Sequence, residues 1–501
     1  MMYPNKFEAQ KALPLQSYLF GHRVQPSQTK YEYLIEFLQV AIAKKTNATT
    51  EKPYSDSDMF PIDNDKLNGN IVYRPQTRIG LKRFVFLPKS KLDGKAQVDQ
   101  LAYSDCIRAL ESKVSGDNAI KKQNCIRIVQ NLLNGFSAVN QSRSWFDQNI
   151  LPICPEVILP EGMGVKKWRQ GLDYEIGNAD VDFKFDYHRY TYMCRGGEVY
   201  YLHLLNAINN YPQYKEVIQK RLNEMITSFP QFSYLCNFVQ KTWENRILIQ
   251  DADKTTVEKR LGVIPTRFAL RNEYTLTELT NFLNSKSHPF EKMETLANGL
   301  ILQLLRAMYV VSATDTESNC WVVDVNCNGY SNPEAKKIAI SSFVRNEEII
   351  NNYLYEGLEE YRGSLAATND SKIIKDAADD SYRLFRKMGK MIGIVIPNTG
   401  KGMRFTLSED IIKFLVLSII PPKKMITLDE FVELLYLHYG IVIGPKQYKQ
   451  EMEKGCVKEV GDLAFLDENQ KAFSQKLKDC GFLRDLSDAT SIVENPYEQE
   501  A

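Results

Sequence analysis

The sequence predicts a mainly α fold with minor β (α+β), in which a large helical body precedes a C-terminal winged-helix-like domain. Two observations support this prediction. Apolar residues recur at helical spacing over most of the 501-residue chain. The C-terminal part contains three helical segments followed by a predicted hairpin. Hydrophobic residues make up 44% of the chain and charged residues 25%, values that allow large packed cores and exclude general disorder.

Charge and cysteine usage exclude several classes of protein. The chain carries 63 Lys and Arg against 62 Asp and Glu, whereas a protein that binds a polyanion with its whole surface is usually more basic. The nine cysteines are odd in number and include no C-x-x-C pair, which argues against a disulfide framework and a structural zinc site. The first residues lack the apolar stretch of a secretory signal. We therefore predict a cytoplasmic protein with reduced thiols, no cofactor and no metal site.

The N-terminal part begins with a well-marked helix. Thr29 stands three residues before Glu32, the spacing of a capping box, and an apolar stripe at helical spacing continues as far as Ile42. Lys44 and Lys45 would occupy the last turn, where cations favour the helix dipole. Further on, we predict a surface loop at 46–70, a strand at 83–88 and helices at about 98–114 and 118–136.

The centre of the chain is mostly helical. Gly196 and Gly197 predict a tight turn, able to bind an anion through backbone amides, before a helical stretch that ends near residue 282. Helical spacing resumes from about 290 to 313, and the apolar segment 296–311 within it contains Asn298, Gln303 and Arg306, which a membrane span rarely tolerates. We therefore predict a buried core helix and no membrane contact. A short strand at 320–329 and a helix at 332–363 are expected to follow.

Shifts in composition divide the chain into parts. The segment 363–380 is small and polar, and it is the predicted linker. The full prediction is an N-terminal α+β region with a basic strand segment at 1–150, a mostly helical central domain at 151–362, the linker at 363–380, and a winged-helix-like C-terminal domain at 381–501.

The C-terminal domain is predicted from the order of its elements. The segment "SEDIIKFLVLSII" is a helix stopped by two prolines, and Thr427 and Glu430 form a capping box for a helix that ends at Gly440. A third helix, "DENQKAFSQKLKDCG", precedes two apolar runs around Ser487 that predict a hairpin. Three helices and a hairpin follow one another in this order in winged-helix proteins, although other α+β modules share the order.

The third helix carries the first candidate site. Phe473, Leu477 and Cys480 are spaced to face a core, and a second face carries cations. The candidate nucleic-acid-binding residues of this face are Lys471, Gln475, Lys476 and Lys478. In helix-turn-helix relatives the last helix enters the major groove, where such cations meet phosphates. An ordinary solvated face and a protein–protein module are the alternatives, because acidic neighbours dilute the charge.

A second candidate is the basic segment from Arg74 to Lys95, in which Asp93 is the single acid. Its candidate nucleic-acid-binding residues are Arg78, Lys82, Arg83 and Lys89. Cations interleaved with aromatic residues can follow a phosphate backbone and stack bases. The alternative is that Phe84 and Phe86 point into the core and the cations solubilise an edge strand.

A third candidate is acidic. On a strand, Asp180, Asp182, Lys184, Asp186 and His188 would share one face. Asp182 and Lys184 resemble the D-x-K half of a metal-dependent nuclease site, where carboxylates hold Mg²⁺ and the lysine positions the attacking water. Asp180, Asp182 and Lys184 are therefore the candidate catalytic residues. A solvated face of a half-buried strand shows the same alternation.

Three passages, "QTKYEYLIEFLQV", "RGGEVYYLHLLNA" and "GFLRDLSDATSIVENPY", together resemble large accessory proteins of bacterial anti-phage defence operons. These are the restriction-like systems associated with DNA modification. The resemblance spans most of the chain and rests on packing motifs, so it assigns no active-site residue. It implies a cytoplasmic bacterial protein that works beside separate ATPase, nuclease or methyltransferase subunits.

These observations lead to one functional hypothesis and two alternatives. The hypothesis is a non-catalytic component of an anti-phage defence complex that docks partner subunits, with double-stranded DNA as an open further contact. The first alternative is a metal-dependent nuclease that uses Asp180, Asp182 and Lys184. The second is a protein-docking scaffold without nucleic-acid contact.

Overall fold

The computed structural model describes the greater part of the chain. The described residues are 2–3, 14–21, 29–48, 50–62, 71–76, 78–86, 97–134, 154–158, 196–244, 259–313, 319–325, 331–362, 370–487 and 490–500. Over these residues the chain is mainly helical with short strands, which confirms the predicted α fold with minor β.

The helices of the first part of the chain agree with most of the predicted ones. They are α1 Leu15–Phe20, α2 Lys30–Ile42, α3 Ile79–Phe86, α4 Gln97–Glu111, α5 Ala119–Asn134, α6 Gly196–Asn210, α7 Lys215–Ile226, α8 Pro230–Glu244, α9 Asn272–Asn284 and α10 Pro289–Ser312. Short 3-10 turns lie at Pro155–Val157, Pro212–Tyr214 and Thr266–Arg271. The Glu32 carboxylate accepts from the backbone N–H of Thr29 at 2.5 Å, as a capping box requires.

The second part of the chain is also mainly helical. Its helices are α11 Pro333–Arg362, α12 Asp370–Arg383, α13 Gly389–Ile392, α14 Glu409–Ile419, α15 Leu428–Tyr439, α16 Pro445–Glu453 and α17 Ala464–Asp479, with a π-helical turn at Leu384–Met388. The hydroxyl groups of Ser408 and Thr427 accept backbone N–H groups at the starts of α14 and α15, and Gly440 ends α15 in the left-handed conformation at φ 63°.

The strands form small separate sheets. They are β1 Met2–Tyr3, β2 Lys44–Asn47, β3 Ile71–Arg74, β4 Lys259–Arg260, β5 Ile264–Pro265, β6 Trp321–Val322, β7 Val395–Ile396, β8 Arg404–Phe405, β9 Met425–Thr427, β10 Ile441–Val442, β11 Leu483–Ser487 and β12 Thr490–Glu494. The sheet orders are β1-β5, β2-β3-β4, β6-β10, β7-β8 and β11-β12-β9. All pairs are antiparallel except β6 with β10, which run parallel.

Helix α10 lies at the centre of the main hydrophobic core, which extends from Leu15 to Val493. By length and composition this helix could cross a membrane, but the whole of its most apolar window is buried inside the protein. The predicted core helix is thus confirmed. Gly299 allows close packing here, because a Cβ at this position would lie 2.0 Å from Cε2 of Phe414 on α14. A smaller cluster joins α3, α4, α5 and α8 around Trp243.

Two predictions for the N-terminal part are wrong. The segment 83–88 is not a strand, because residues as far as Phe86 belong to helix α3. Lys44 and Lys45 do not form the last helical turn but begin β2, which occupies the start of the predicted loop 46–70. The Nζ of Lys45 nevertheless folds back and donates to the carbonyl of Ala41 at 2.7 Å, so this side chain does meet the end of helix α2.

The predicted linker contains a helix. Residues 363–369 lie outside the described residues, and α12 begins at Asp370 and buries Ile374 and Ala377 in the main core. The division of the chain into domains stays a prediction. The hydrophobic core is continuous across the boundary at 381, since Leu358 and Leu384 belong to the same cluster.

Candidate functional site

The C-terminal unit, residues 404–494, places helix α17 beside a three-stranded sheet. Helix α17 is followed by Gly481 in the left-handed conformation, at φ +76°, and the chain then enters the β11–β12 hairpin. Strand β9, which lies between α14 and α15 in sequence, adds to the far side of β12. The hairpin predicted around Ser487 is confirmed.

The buried side of α17 agrees with the prediction. Phe473 and Leu477 are fully buried, Cys480 is half-buried, and the Phe473 ring stacks on Phe431 of α15 with centroids 6.2 Å apart. Asn469, one turn earlier, ties the unit to the helical body. Its amide donates to the carbonyls of Val323 and Ile443 and so joins the ends of β6 and β10.

The opposite side of α17 is less cationic than the sequence alone indicates. Lys476 is half-buried and donates to the carbonyl of Leu407 at 2.7 Å. The ammonium group of Lys478 pairs with Asp485 on β11, and the Gln475 amide donates to Asp479 at 2.7 Å. Lys471 is exposed. Three of the four candidate residues therefore hold contacts within the unit.

The ion pair between Lys478 of α17 and Asp485 of the hairpin also changes the pKa of Asp485. The hydrogen bond from Lys478 holds the pKa of Asp485 below its usual value of 3.8, and the Ser491 hydroxyl adds to this effect. Asp485 therefore remains ionised and keeps Lys478 paired on the surface. An exposed pair of this kind contributes little to stability, but it lowers the positive charge that α17 presents.

Large apolar side chains are exposed on the same unit. Met425 on β9, Leu437 on α15 and Leu486 on β11 have exposed fractions of 59%, 51% and 65%. Single exposed apolar residues are ordinary on protein surfaces. Three on one small unit, each on a different element, give this unit exposed apolar surface of the kind through which proteins contact one another.

The predicted basic segment is organised differently from the prediction. Arg78 precedes helix α3, and its guanidinium donates to Asn237 of α8 at 3.2 Å. Lys82 and Arg83 lie on α3, and Lys89 lies outside the described residues. Phe84 is buried in the smaller cluster, as the structural alternative expected, but on a helix and not on an edge strand.

The acidic candidate site cannot be placed, because Asp180, Asp182, Lys184, Asp186 and His188 all lie outside the described residues. Over the part of the chain that the structure describes, no group of three or more His, Cys, Asp or Glu side chains is arranged to hold a metal ion.

The predicted glycine turn is the first turn of helix α6. The backbone N–H of Gly197 does bind an anion, but this anion is the Glu36 carboxylate of α2, whose Oε2 accepts at 2.5 Å. A Cβ on Gly197 would lie 2.3 Å from the Tyr33 carbonyl oxygen, so the glycines permit α6 to pack directly on α2. Their role in the described structure is packing.

A buried charge network, absent from the sequence predictions, joins the C-terminal unit to the body. Glu278 of α9 is fully buried and pairs with Arg271 at 2.9 Å and with Nδ1 of His438, on α15, at 3.1 Å. Gln303 of α10 donates to the same carboxylate at 2.7 Å. The guanidinium of Arg271 also donates to the backbone carbonyl of His438.

The network keeps Glu278 ionised despite its burial. Burial acts to raise the pKa of Glu278, but Arg271 and His438 outweigh it and hold the pKa below the usual value of 4.5. No pattern in the sequence could have brought Arg271, Glu278 and His438 together, because the contacts span 160 residues. The sequence signal for this network was limited to Arg271 and Glu278, two opposite charges seven residues apart that could have indicated an ion pair.

The comparisons with known proteins identify one family. Residues 399–497, about a fifth of the chain, match the model of a family described as methylation-associated defense system protein MAD7. No curated protein and no solved structure matches the chain. The matched residues coincide with the C-terminal unit. The match confirms the resemblance predicted from the sequence, and this chain is similar, over these residues, to an accessory protein of an anti-phage defence system.

Proposed function

We propose that this protein is a non-catalytic component of an anti-phage defence complex and that its C-terminal unit docks partner subunits in the cytoplasm. One observation carries the proposal. The residues that match the defence family form a unit that exposes apolar side chains while most candidate cations on α17 are held by internal partners. Such a surface suits a protein better than a phosphate backbone.

The order of elements supports a winged-helix-like unit. Helix α14, strand β9, helices α15 to α17 and the β11–β12 hairpin follow one another, and β9 pairs with β12. Winged-helix units bind either DNA or other proteins. The proposed partners are the subunits that the resemblance implies, namely an ATPase, a nuclease or a methyltransferase.

Partner docking is tested by co-purification with the neighbouring gene products. We expect Met425→Glu and Leu437→Glu to lower the recovery of one partner, because a buried carboxylate at an interface is costly. Tyr234→Glu is the matched control, since Tyr234 is 77% exposed and lies on α8, away from the C-terminal unit. Equal recovery of every partner by all variants and the parent protein would contradict the proposed docking surface.

DNA contact is the second candidate function, because Lys471 is exposed and Lys478 can exchange its exposed partner for a phosphate. Each phosphate contact contributes about 0.9 to the slope of log K against log salt. If Lys471, Lys476 and Lys478 all bind phosphates, changing them to Gln should lower the magnitude of that slope by about 2–3. If the unit docks proteins and does not contact DNA, the same three substitutions should leave the salt dependence of any binding to duplex DNA unchanged.

A further inference from the structure

A segment that follows the last strand crosses from the C-terminal unit to the helical body. We call residues 495–500 the strap. The Asn495 amide donates to Ser285 Oγ at 2.9 Å and to the carbonyl of Ile420 at 2.8 Å, which anchors the start of the strap. The rest of the strap runs beside the loop between α9 and α10.

The strap pairs with that loop through its backbone. The N–H of Lys286 donates to the carbonyl of Glu498 at 2.7 Å, and the N–H of Glu500 donates to the carbonyl of Asn284 at 2.8 Å. These bonds form one antiparallel bridge, between Ser285 and Gln499. The loop therefore offers backbone groups to an extended segment, the geometry by which proteins bind a peptide as an added strand.

The strap ends in a basic pocket. A cavity of about 420 Å³ lies between α7 and the start of α10, and Arg221, Lys286 and Lys292 contribute its positive charge. Lys292 Nζ pairs with Glu500 Oε1 at 2.7 Å, and Arg221 Nη2 donates to the Glu500 carbonyl at 3.0 Å. The pocket thus holds both the side chain and the backbone of one acidic residue.

The buried cations of the pocket favour a carboxylate as their partner. The side chains of Lys292 and Arg221 are only 6% and 9% exposed. A buried cation needs an anionic partner, because removing one member of a buried pair leaves an uncompensated charge. Glu224 pairs with Arg221 at 2.8 Å, so Glu500 is the acid that compensates Lys292. Glu500 keeps 26% of its side chain exposed, and a competing acid can therefore reach the site.

We propose that this pocket is a docking site for an acidic, extended polypeptide segment of a partner protein, and that the strap occupies it in cis. A partner would pair its backbone with residues 284–286 and place a carboxylate on Lys292, so that it displaces the strap. The residues that bind the carboxylate lie on α7 and α10 of the helical body, and the proposal does not depend on the function proposed for the C-terminal unit.

The test uses the full chain and a fluorescent peptide, NPYEQE, with the sequence of the strap. Wild-type protein should bind it weakly, because a tethered competitor has an effective concentration on the order of millimolar. The double variant Glu498→Lys/Glu500→Lys repels its own strap from the pocket and should bind the peptide at least about tenfold more tightly, a change of about 1.4 kcal/mol. Adding Lys292→Gln should remove the gain.

Three controls make the result decisive. Glu459→Lys, an exposed charge reversal outside the strap, should bind as wild type does. The peptide NPYQQQ should not bind the double variant. Hydrogen exchange at the Lys286 amide, whose partner is the carbonyl of residue 498, should be faster in the double variant than in wild type. Equal binding of both peptides, no gain in the double variant, or unchanged exchange at the Lys286 amide would overturn the proposal.

Discussion

Glu278 carries a charge in the middle of the protein, and its surroundings account for this. A buried carboxylate is tolerated when cations and hydrogen-bond donors surround it. Arg271, His438 and Gln303 supply these groups. The cost of the arrangement is that each member depends on the others.

We expect Glu278→Gln to lower the free energy of unfolding by about 3–5 kcal/mol, because it leaves Arg271 buried without an opposite charge. Urea unfolding followed by circular dichroism measures the change. The matched control is Glu334→Gln, which removes an exposed acid 3.9 Å from Lys337 and should leave the midpoint unchanged. A loss as small as that of the control would show that the network contributes nothing to stability.

His203 predicts a pH dependence. Burial lowers the pKa of His203 from 6.5 to about 3, and the nearby Arg271 acts in the same direction. Below pH 6.5 His203 therefore becomes protonated in the unfolded chain but stays neutral in the folded protein. As a result, the free energy of unfolding falls as the pH drops below 6.5. Between about pH 6.5 and 5.5, above the range in which the carboxylates of the unfolded chain take up protons, His203 should contribute up to about 1.4 kcal/mol per pH unit.

Urea titrations of wild type and His203→Leu over this range test the assignment. The variant should lose stability less steeply on acidification, since it has no imidazole to protonate in the unfolded state. Parallel curves for the two proteins would assign the acid sensitivity to other groups.

At the scale of elements, the close packing of α6 on α2 explains why Gly196 and Gly197 are glycines. The α2–α6 crossing brings Tyr33 against the first turn of α6, where the backbone leaves no room for a Cβ. Glycine weakens a helix, so its presence here follows from tertiary contact and not from local preference.

Gly197→Ala should therefore destabilise the protein although alanine is the better helix former. The added Cβ would meet the Tyr33 carbonyl oxygen at 2.3 Å, and we expect a net loss of about 1–3 kcal/mol from overpacking. Gly461→Ala is the control, because nothing lies within 4 Å of its added Cβ. Thermal unfolding of both variants gives the comparison. A melting temperature of Gly197→Ala at or above that of wild type would refute the close-packing explanation.

Helix α3 shows why one element was predicted wrongly. Short apolar runs do not distinguish a strand from a helix. Two residues of α8 favour the helix. The Gln240 side chain accepts the N–H of Leu81 at 3.0 Å, and Gly80 lies so close to Trp243 that a Cβ would be 2.4 Å from its ring. Both contacts join residues about 160 positions apart in sequence, beyond any local pattern.

At the scale of the whole molecule, the C-terminal unit shares its core and a sheet with the body. Strand β10 pairs with β6, and Phe414 of α14 packs on Phe282 of α9 with centroids 5.6 Å apart. The Asn281 amide donates to the carbonyl of Ser418 at 3.0 Å. Separation of the two parts would expose apolar surface on both.

We expect the fragment 370–501, produced alone, to bind a hydrophobic dye and to lack a cooperative thermal transition, because its buried α14 face would meet water. Co-expression with the fragment 1–369 should restore a complex that unfolds cooperatively. Size-exclusion chromatography and circular dichroism report both results. A cooperatively folded fragment 370–501 without its complement would instead confirm the predicted C-terminal domain as independent.

The sequence by itself determined the helices capped by Thr29 and Thr427, the core helix α10 and the C-terminal hairpin. Each depends on neighbours within a few turns: caps, apolar stripes and turn residues. It also indicated the buried side of α17. Only the tertiary structure decided which cations on α17 remain available, why Gly197 is required, and how Glu278 stays charged. These properties depend on side chains that folding brings together from distant parts of the chain, and local periodicity carries no information about them.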